Sequence, residues 1–447
     1  MLDRFSDALS QRLPQDTVAG KEELLRAIFR ASQQLGSGGP LRVFWVPGRI
    51  EVLGKHTDYC GGRSLLAAAS RGFMFGVSPR ADLSIRVCDA VSGETIESRL
   101  DPELQPQLGH WSNYPETVFR RIARNFEGDL KGADIVFASD VPPAAGMSSS
   151  SAMMVGFFLV MDAVNDLSGR VEYTKNIQTA EDLAGYLGTL ENGQTFGSLV
   201  GDKGVGTFGG SEDHTAIMNC EAGRLSQYAY CPVQFERTMN LPDSHTLVIG
   251  VSGVVAEKTG DAMEKYNRAS RLAFTALAVW NQFSGRKDPH LAGAIQNAGL
   301  DEIRQVLEKS QGGEFSSLDL VRRVDHFFAE NEEILPKAGD ALAVGDVGGF
   351  GAWANKSQTN GAVLLQNQIT ETEALAGIAV GLGASGASAF GAGFGGSVWA
   401  LVARHSGDAF LEAWESVYLQ KFPGHQKLSQ FFYSDASTGA FEVRETQ

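Results

Sequence analysis

The sequence predicts an α+β protein, and three observations lead to that fold class. Its 447 residues are enough for two or three domains at roughly 100 to 200 residues each. Apolar residues make up 43% of the chain and charged residues 20%, which is typical of folded, soluble proteins. Segments of strand and helix character follow one another without a regular strand–helix–strand repeat, and this favours α+β over a doubly wound sheet.

The first part of the chain predicts a helix and then a strand. Residues Glu22–Leu35 carry apolar side chains at helical spacing and are followed by a glycine-rich stretch that ends the helix. The mostly apolar run Leu41–Val46 predicts a strand, which Arg49–Leu53 continues beyond Pro47 and Gly48.

A strand, a turn and a buried helix come next. Ala133–Val141 predicts a strand, and residues 142–147 are small and turn-forming. A helix opens at Ser148 and is apolar on nearly every face, which predicts that it is buried.

The remaining local predictions surround a glycine-rich loop, residues 193–210. Thr174–Glu191 predicts a helix before the loop, and His214–Cys220 predicts a strand after it. Thr246–Val254 predicts a further strand.

Charge and cysteine content narrow the classes of function. The 53 acidic and 38 basic residues give a net charge of −15, which disfavours nucleic acid or an anionic membrane as the main partner. An anionic small molecule stays possible, because backbone N–H groups can bind phosphate on an acidic protein.

The four cysteines show no CxxC spacing, so neither a zinc site nor a disulfide framework is expected. Without an apolar leader, the expected location is the cytoplasm.

The segment PPAAGMSSSSA, Pro142–Ala152, predicts a phosphate site. Its small residues let the backbone approach a ligand closely, and its serines place hydroxyl and N–H groups at the positive end of a helix. The alternative is a serine-rich helix cap without a ligand, but one cap uses one serine. The Walker A pattern is absent from the sequence, so a P-loop fold is not expected.

The segment GAGFGGS, Gly391–Ser397, matches the dinucleotide pattern G-x-G-x-x-G. That pattern requires a strand before it and a helix after it, whereas the strand-like VWALVA follows here. The alternative to a dinucleotide site is therefore a structural turn. A dehydrogenase that binds NAD(P) at this loop is a remote possibility.

Two further segments carry chemically active side chains. PGRIEVLGKHTDYCGG, residues 47–62, brings Arg49, Lys55, His56 and Asp58 together, a mixture suited to a polyhydroxylated ligand. An ordinary polar turn is the alternative, and a transition-metal site is not indicated.

The segment GGSEDHTAI puts Asp213 directly after the glycine-rich loop. A carboxylate there can serve as a general base. Loop aspartates more often form turns.

In this order, the segments resemble the GHMP kinase superfamily and, within it, the galactokinases. The family opens with a segment like PGRVNLIGEHTDYNGG, continues with one like PLGSGLSSSAS and ends with GAGFGG. Here the corresponding stretches read PGRIEVLGKHTDYCGG, PPAAGMSSSSA and GAGFGGS. Weaker similarities lie between them, at LENGQTFG, EKYNR and GDVGGFGAWANKSQ.

The resemblance implies a two-domain α+β fold with the active site in the cleft between domains. The expected division is an N-terminal domain of residues 1–225 and a C-terminal domain of residues 226–447. It also implies transfer of the γ-phosphoryl group of ATP to the C1 hydroxyl of galactose or a similar sugar, with Mg²⁺. The expected partners are thus ATP and a sugar, and a monomer is expected.

Residue roles follow from the resemblance position by position. Asp213 is implied as the catalytic base, with Arg49 beside it. The implied ATP-binding residues are Gly146, Met147, Ser148, Ser149, Ser150 and Ser151. Ser150 and Glu191 are implied as magnesium ligands. The implied sugar-binding residues are Lys55, His56, Asp58, Gly210 and Tyr266. The third-motif loop contributes Gly391, Gly393, Gly395 and Gly396.

Several positions depart from the family pattern. Lys55 stands where the family has a sugar-binding Glu, and Glu51 replaces a common Asn. One hypothesis is that Lys55 binds the carboxylate of galacturonate; the other is that an acid such as Glu51 neutralises it and galactose is still accepted. Ala144 and Ala145 replace Gly and Ser in the second motif and stiffen it slightly. Ser151 replaces a family Ala.

Other functions remain in view at this point. A sugar sensor without turnover is one, although retention of Arg49 and Asp213 argues against it. GHMP kinases that act on mevalonate, homoserine or heptose phosphates are others, and the HTDY segment together with the chain length favours a galactokinase over them.

Overall fold

The structure is a computed structural model that describes residues 2–36, 39–143, 145–254, 260–310 and 313–444. It contains two β-sheets with helices packed on their faces and a cleft between its two halves. The predicted α+β class and two-domain cleft are confirmed.

The strands fall into an N-terminal group, a central group and a short C-terminal group. In chain order they are β1 (Arg42–Leu53), β2 (Arg63–Pro79), β3 (Ser84–Asp89), β4 (Thr95–Arg99), β5 (Ala133–Ser139), β6 (Arg224–Ala229), β7 (Gln234–Asn240), β8 (His245–Val251), β9 (Gly386–Phe390), β10 (Ser397–Ala403), β11 (Gln430–Tyr433) and β12 (Phe441–Val443).

The helices lie between these strand groups. In chain order they are α1 (Leu2–Ser10), α2 (Gln15–Leu35), α3 (Asn113–Asn125), α4 (Ser149–Asn165), α5 (Val171–Asn176), α6 (Ala180–Asn192), α7 (Glu212–Asn219), α8 (Gly260–Ser284), α9 (Leu291–Ala298), α10 (Leu300–Glu308), α11 (Ser317–Phe328), α12 (Leu335–Ala343), α13 (Val347–Asn360), α14 (Thr370–Gly381) and α15 (Gly407–Lys421). π-helical turns at Ala329–Ile334 and Gly361–Leu365 lead into α12 and out of α13.

The first sheet has the strand order β12-β1-β2-β5-β3-β4, and β6 and β7 extend it from β2. Its pairs are antiparallel except β3 with β5. Helices α3, α4 and α6 pack on one face, and α1 and α2 cover the other. The predicted domain boundary after residue 225 falls inside β6, and the C-terminal strand β12 returns to this sheet; the division at 225 stays a prediction.

The second sheet is antiparallel, with the order β11-β8-β10-β9. Helices α14 and α15 pack on one face. The other face shares a hydrophobic core with β1 and β2 of the first sheet and with α12 and α13. This shared core joins the two halves beneath the cleft.

Strand β1 runs without a break through Pro47 and Gly48, as predicted. Its register against β2 shifts between Pro47 and Arg49 and again between Glu51 and Leu53. Irregularities of this kind bend a strand and redirect its side chains. They direct the end of β1 towards the cleft.

The predicted strand, turn and helix in the middle of the chain are confirmed as β5, a loop and α4. Helix α4 is buried over most of its length, including Phe157, Phe158 and Met161, which agrees with its apolar composition on every face. Its N-terminus opens at the cleft, beside Gly146 and Ser148.

Two local predictions are wrong. Residues His214–Cys220 are not a strand, because Glu212–Asn219 form helix α7. The signal for this helix lay just before the predicted strand, at Ser211, Glu212 and Asp213. A serine followed by two acidic residues favours a helix N-terminus. Thr174–Glu191 is not one helix either: Thr179 and Asp182 form a capping box that starts α6 anew after α5 ends.

None of the helices in the described part of the chain combines the length and the apolar character that a membrane crossing requires.

Gly156 lets α4 approach β2, and its replacement should destabilise the protein. An alanine Cβ at this position would lie 2.1 Å from Cε2 of the buried Phe75 ring. We expect Gly156→Ala to lower the free energy of unfolding by about 1–3 kcal/mol, because the overpacking outweighs the gain in helix propensity. Urea-induced unfolding measures the difference.

Gly377→Ala is the matched control. This glycine is exposed in α14, and an added Cβ would meet no atom within 4 Å. It should stabilise the protein by about 0.5–1 kcal/mol. Equal effects at the two sites would contradict the close packing of α4 on β2.

Candidate active site

The cleft between the two halves brings together residues from both ends of the chain. It is lined by Arg49, Glu51, His56, Asp58, Tyr59, Glu191, Gly209, Gly210, Glu212, Asp213, His214, Tyr266, Gly391 and Ala392. Most of the side chains singled out in the sequence therefore meet in one cavity. Lys55 is not among its lining residues.

A buried ion pair lies at the centre of the cleft. Arg49 Nε is 2.6 Å from Asp213 Oδ1, and Arg49 Nη1 donates to the Gly146 carbonyl at 2.6 Å. Burial alone lowers the pKa of Arg49, but the carboxylates of Asp213, Glu51 and Glu212 more than offset it and raise that pKa. Arg49 thus joins β1, α7 and the part of PPAAGMSSSSA that precedes α4, called here the Ser-rich loop, through a permanent positive charge.

Asp213 sits in the first turn of α7 and contacts the start of α4. Ser151 Oγ donates to Asp213 Oδ2 at 3.3 Å and to Glu191 Oε2 at 2.7 Å. The His214 ring lies 3.4 Å from the same Glu191 oxygen. Ser151, the family departure in the second motif, therefore links the two carboxylates.

The segment after β1 forms a tight turn around Asp58. This carboxylate accepts the backbone N–H of Tyr59 at 2.8 Å and that of Glu212 at 3.2 Å. Burial raises the pKa of Asp58 to about 6, although the two N–H bonds act in the opposite direction. Gly210 passes so close that a Cβ there would lie 2.3 Å from Asp58 Oδ2. Only glycine fits at this point.

His56 adopts a left-handed backbone conformation with φ of 54°. Its ring bonds to the Tyr59 hydroxyl at 2.9 Å and to the Ala392 carbonyl at 3.2 Å, and it packs 5.7 Å from the Tyr266 ring. Arg323 donates to the His56 carbonyl at 2.5 Å. These contacts hold a strained turn in one conformation against the cavity.

The Ser-rich loop opens a second, smaller cavity at the N-terminus of α4. Arg49, Gly146, Ser148, Phe390, Ala392, Gly393 and Gly395 line it. Ser148 is left-handed and precedes the helix, whose first residue is Ser149. Met147 is buried in the core, and its carbonyl accepts the Arg49 N–H at 3.1 Å. Ala144 lies outside the described residues.

The third-motif loop connects β9 to β10 and packs on the Ser-rich loop. A Cβ at Gly391 would lie 2.7 Å from the Gly146 carbonyl oxygen. Ser397 Oγ donates to the Ala145 carbonyl at 2.5 Å. A strand follows the loop rather than a helix, so the dinucleotide interpretation does not apply.

Lys55 points away from the cavity into the C-terminal half. It is fully buried, and its Nζ donates to Ser357 Oγ at 2.9 Å and to Ser388 Oγ at 2.7 Å. Ser357 in turn donates to Glu330 Oε1 at 2.8 Å, which also accepts the Gly54 N–H at 2.9 Å. The ammonium therefore ties the turn after β1 to α13 and β9.

Both hypotheses for Lys55 need revision. Because its hydrogen bonds go to the two serines, its position gives no support to a contact with a sugar carboxylate. Its charge helps to lower the pKa of Glu51, but Glu51 is not its bonded partner.

Two acidic residues of the cavity stand out, Glu51 and Glu212. Burial raises the pKa of Glu51 to about 7 and raises that of Glu212 well above its usual range. The sequence indicated Glu51 only as a departure from the family pattern and as an acid that neutralises Lys55, and it indicated no role for Glu212. Adjacency to Asp213 was the single signal for Glu212, and it did not reveal which side of α7 faces the cavity.

The environment of Lys55 predicts a structural role. We expect Lys55→Met to lower the free energy of unfolding by about 2–4 kcal/mol, because Ser357 and Ser388 lose a buried charged partner. Urea-induced unfolding tests this.

Lys427→Met, at an exposed position, is the control and should change stability by less than about 0.5 kcal/mol. If Lys55→Met proves as stable as the wild-type protein, the buried hydrogen bonds of Lys55 contribute nothing to stability.

Known families match two stretches of this chain. Residues 32–79 match the galactokinase galactose-binding signature, and residues 113–195 match the GHMP kinases N-terminal domain. A galactokinase of Roseiflexus is 28% identical over 81% of this chain and 84% of its own length. One of Exiguobacterium sibiricum is 27% identical over 95% of this chain and 99% of its own length.

Solved structures share the fold. Lactococcus lactis galactokinase in complex with galactose has a TM-score of 0.77 at 23% identity, covering 93% of this chain and 98% of its own. A D-glycero-D-manno-heptose 1-phosphate kinase has a TM-score of 0.53 at 13% identity, covering 91% of this chain and 100% of its own. In its motifs, its fold and these matches, the chain is similar to the GHMP kinases and, among them, to the galactokinases.

Proposed function

We propose that this protein is an ATP-dependent sugar kinase that transfers the γ-phosphoryl group of ATP to the C1 hydroxyl of galactose or a galactose-like sugar. The observation that carries the proposal is the 2.6 Å ion pair of Arg49 and Asp213, set where the Ser-rich loop and the turn after β1 meet. The galactokinase relatives support the same activity.

Asp213 is proposed as the base. In the reaction the C1 oxygen bonds to the γ-phosphorus, the bond from that phosphorus to the ADP oxygen breaks, and the hydroxyl proton passes to the Asp213 carboxylate. The Asp213 side chain is 18% exposed, whereas Arg49 is 4% exposed, so a substrate can reach the base. Arg49 holds that carboxylate in place and offsets negative charge near the phosphoryl group.

ATP is proposed to bind along the Ser-rich loop. Gly146 and Ser148 line the cavity at the N-terminus of α4, where free N–H groups and the helix dipole favour phosphate. Met147 would contribute backbone only, since its side chain is in the core. Ser149, Ser150 and Ser151 form the first turn of the helix. The third-motif loop, Gly391–Gly396, covers this cavity from the other half.

Mg²⁺ is proposed to bind at this end of the cleft. Glu191 supplies a carboxylate in the cavity wall, and Ser150 supplies a hydroxyl at the α4 N-terminus. Mg²⁺ is usually bound by one or two carboxylates together with substrate phosphates, so few protein ligands suffice. When bound, it would neutralise phosphate charge during transfer.

The sugar is proposed to lie against Asp58, His56, Tyr266 and Gly210, which line the larger cavity. Asp58 is the acceptor for sugar hydroxyls. Lys55 is omitted from this set because it faces the protein interior. A galacturonate kinase is accordingly not favoured.

A sugar sensor is the competing proposal from another class. It requires ligand binding without turnover, and the bonded base and arginine argue against it.

We further propose that the protein works in the cytoplasm, where ATP is available and its four cysteines, free in the described structure, stay reduced.

Loss of the proposed base should abolish turnover. We expect Asp213→Asn to reduce ADP release with galactose and Mg-ATP by about 10²–10⁴-fold, the usual contribution of a general base. A coupled ADP assay measures the rate, and circular dichroism checks folding.

Asp301→Asn, exposed on α10, is the control and should keep the wild-type rate. Activity that survives in Asp213→Asn would remove Asp213 as the base. Galactose binding without any ADP release by the wild-type protein would instead favour the sensor.

Sugar affinity should depend on the ionisation of Asp58. Its pKa of about 6 means that the carboxylate is charged above that pH and protonated below it, so it becomes a poorer hydroxyl acceptor in acid. We expect the Kd for galactose, measured by calorimetry from pH 5 to pH 8, to rise progressively below about pH 6.

Asp58→Asn should bind galactose more weakly and should lack this acidic limb. An unchanged limb in the variant would assign the titration to another group.

A further inference from the structure

The larger cavity is strongly acidic. Five carboxyl side chains line it: Glu51, Asp58, Glu191, Glu212 and Asp213. Arg49 is the one lysine or arginine among the described residues that line it, and it is already bonded to Asp213 and to a backbone carbonyl. A ligand in this cavity therefore meets an excess of negative charge.

Glu51 and Glu212 form a buried carboxyl pair within that cavity. They are 3% and 4% exposed, and after burial the charge of Glu51 is the largest cause that raises the pKa of Glu212. Glu51 projects from β1 and Glu212 from the first turn of α7. Even with one of the two protonated, the other four carboxyl groups of the cavity carry up to four negative charges.

Each member of the pair also has an unused acceptor. Oε1 of Glu51 and Oε1 of Glu212 are buried and accept no hydrogen bond from the described residues, although Arg49 Nε lies 4.0 Å from Glu212 Oε1. A buried carboxylate oxygen without a donor is unfavourable. Since both residues line the cavity, a ligand that brings hydrogen-bond donors relieves this cost, and a ligand that brings another anion does not.

We propose that the Glu51–Glu212 pair sets the substrate class of this site, so that neutral hexoses and amino hexoses bind while hexuronates are excluded. The inference rests on the proposed sugar kinase function and deepens it. It reverses the sequence hypothesis in which Lys55 attracts a uronate, because that cation is directed out of the cavity.

The physical basis is the charge of the ligand in a desolvated site. A sugar carboxylate would face like charges at short range, where little water screens them. A sugar ammonium gains attraction and donates to the free carboxyl oxygens. A neutral sugar hydroxyl donates a hydrogen bond to the same oxygens but gains no ionic attraction.

The wild-type protein provides the first test, with calorimetric Kd values for galactose, 2-amino-2-deoxygalactose, galacturonate and the methyl ester of galacturonate. The ester has nearly the shape of the acid without its charge. We expect the ester to bind at least tenfold more tightly than the acid. Equal binding of acid and ester would overturn the proposal, and this test needs no variant to fold.

Glu51→Gln and the double variant Glu51→Gln/Glu212→Gln provide the second test. The double variant is included because removal of one carboxyl group lets the other ionise. In the double variant, we expect the affinity for the amino sugar relative to galactose to fall at least fivefold and that for galacturonate relative to galactose to rise at least fivefold. Smaller changes in both ratios would overturn the role of the pair.

Glu302→Gln, exposed on α10, should leave both ratios unchanged. The parent proposal is judged separately, by ADP release with galactose. If the wild-type protein neither binds nor phosphorylates galactose, the kinase function itself fails, and this inference with it. If galactose is phosphorylated but the acid and the ester behave alike, only the inference fails.

Discussion

The ion pair between Arg49 and Asp213 holds together three parts of the chain that the cleft requires. Arg49 leaves β1 just after a register shift, contacts Asp213 on α7 and donates to Gly146 in the Ser-rich loop. Because the guanidinium is buried and bonded on two sides, a shift of β1, α7 or the loop would leave a charge without its partner. The geometry of the proposed catalytic centre thus depends on the packing of the whole first half.

A second buried charge couples this half to the other. Lys55 follows the same strand, and its ammonium binds serines of α13 and β9, while Glu330 supports Ser357 and the Gly54 N–H. One short segment therefore supplies an arginine to the cleft and a lysine to the interface between the halves. Lys55 lies beyond the end of β1 at Leu53, where Gly54 turns the chain with a φ of 108°, and its side chain therefore meets a different environment from that of Arg49.

The same segment explains why a charge reversal in the sequence need not reverse the substrate. Lys55 is positive but faces the interior, whereas Glu51 is a carboxyl group that lines the cavity together with Glu212. The cavity is consequently more acidic than the residues of the segment PGRIEVLGKHTDYCGG suggest. Selectivity is then expected to follow the carboxyl pair and not the lysine.

The sequence by itself determined the α+β class, the helix and strand around the Ser-rich loop, and the motifs that meet in the cleft, because periodicity, glycine and capping residues act over a few positions along the chain. It mistook α7 for a strand, since a seven-residue window carries little periodic signal. Only the tertiary structure decided which way Lys55 faces and that Glu212 meets Glu51. Those contacts join residues far apart in sequence, and burial sets the pKa values that follow from them.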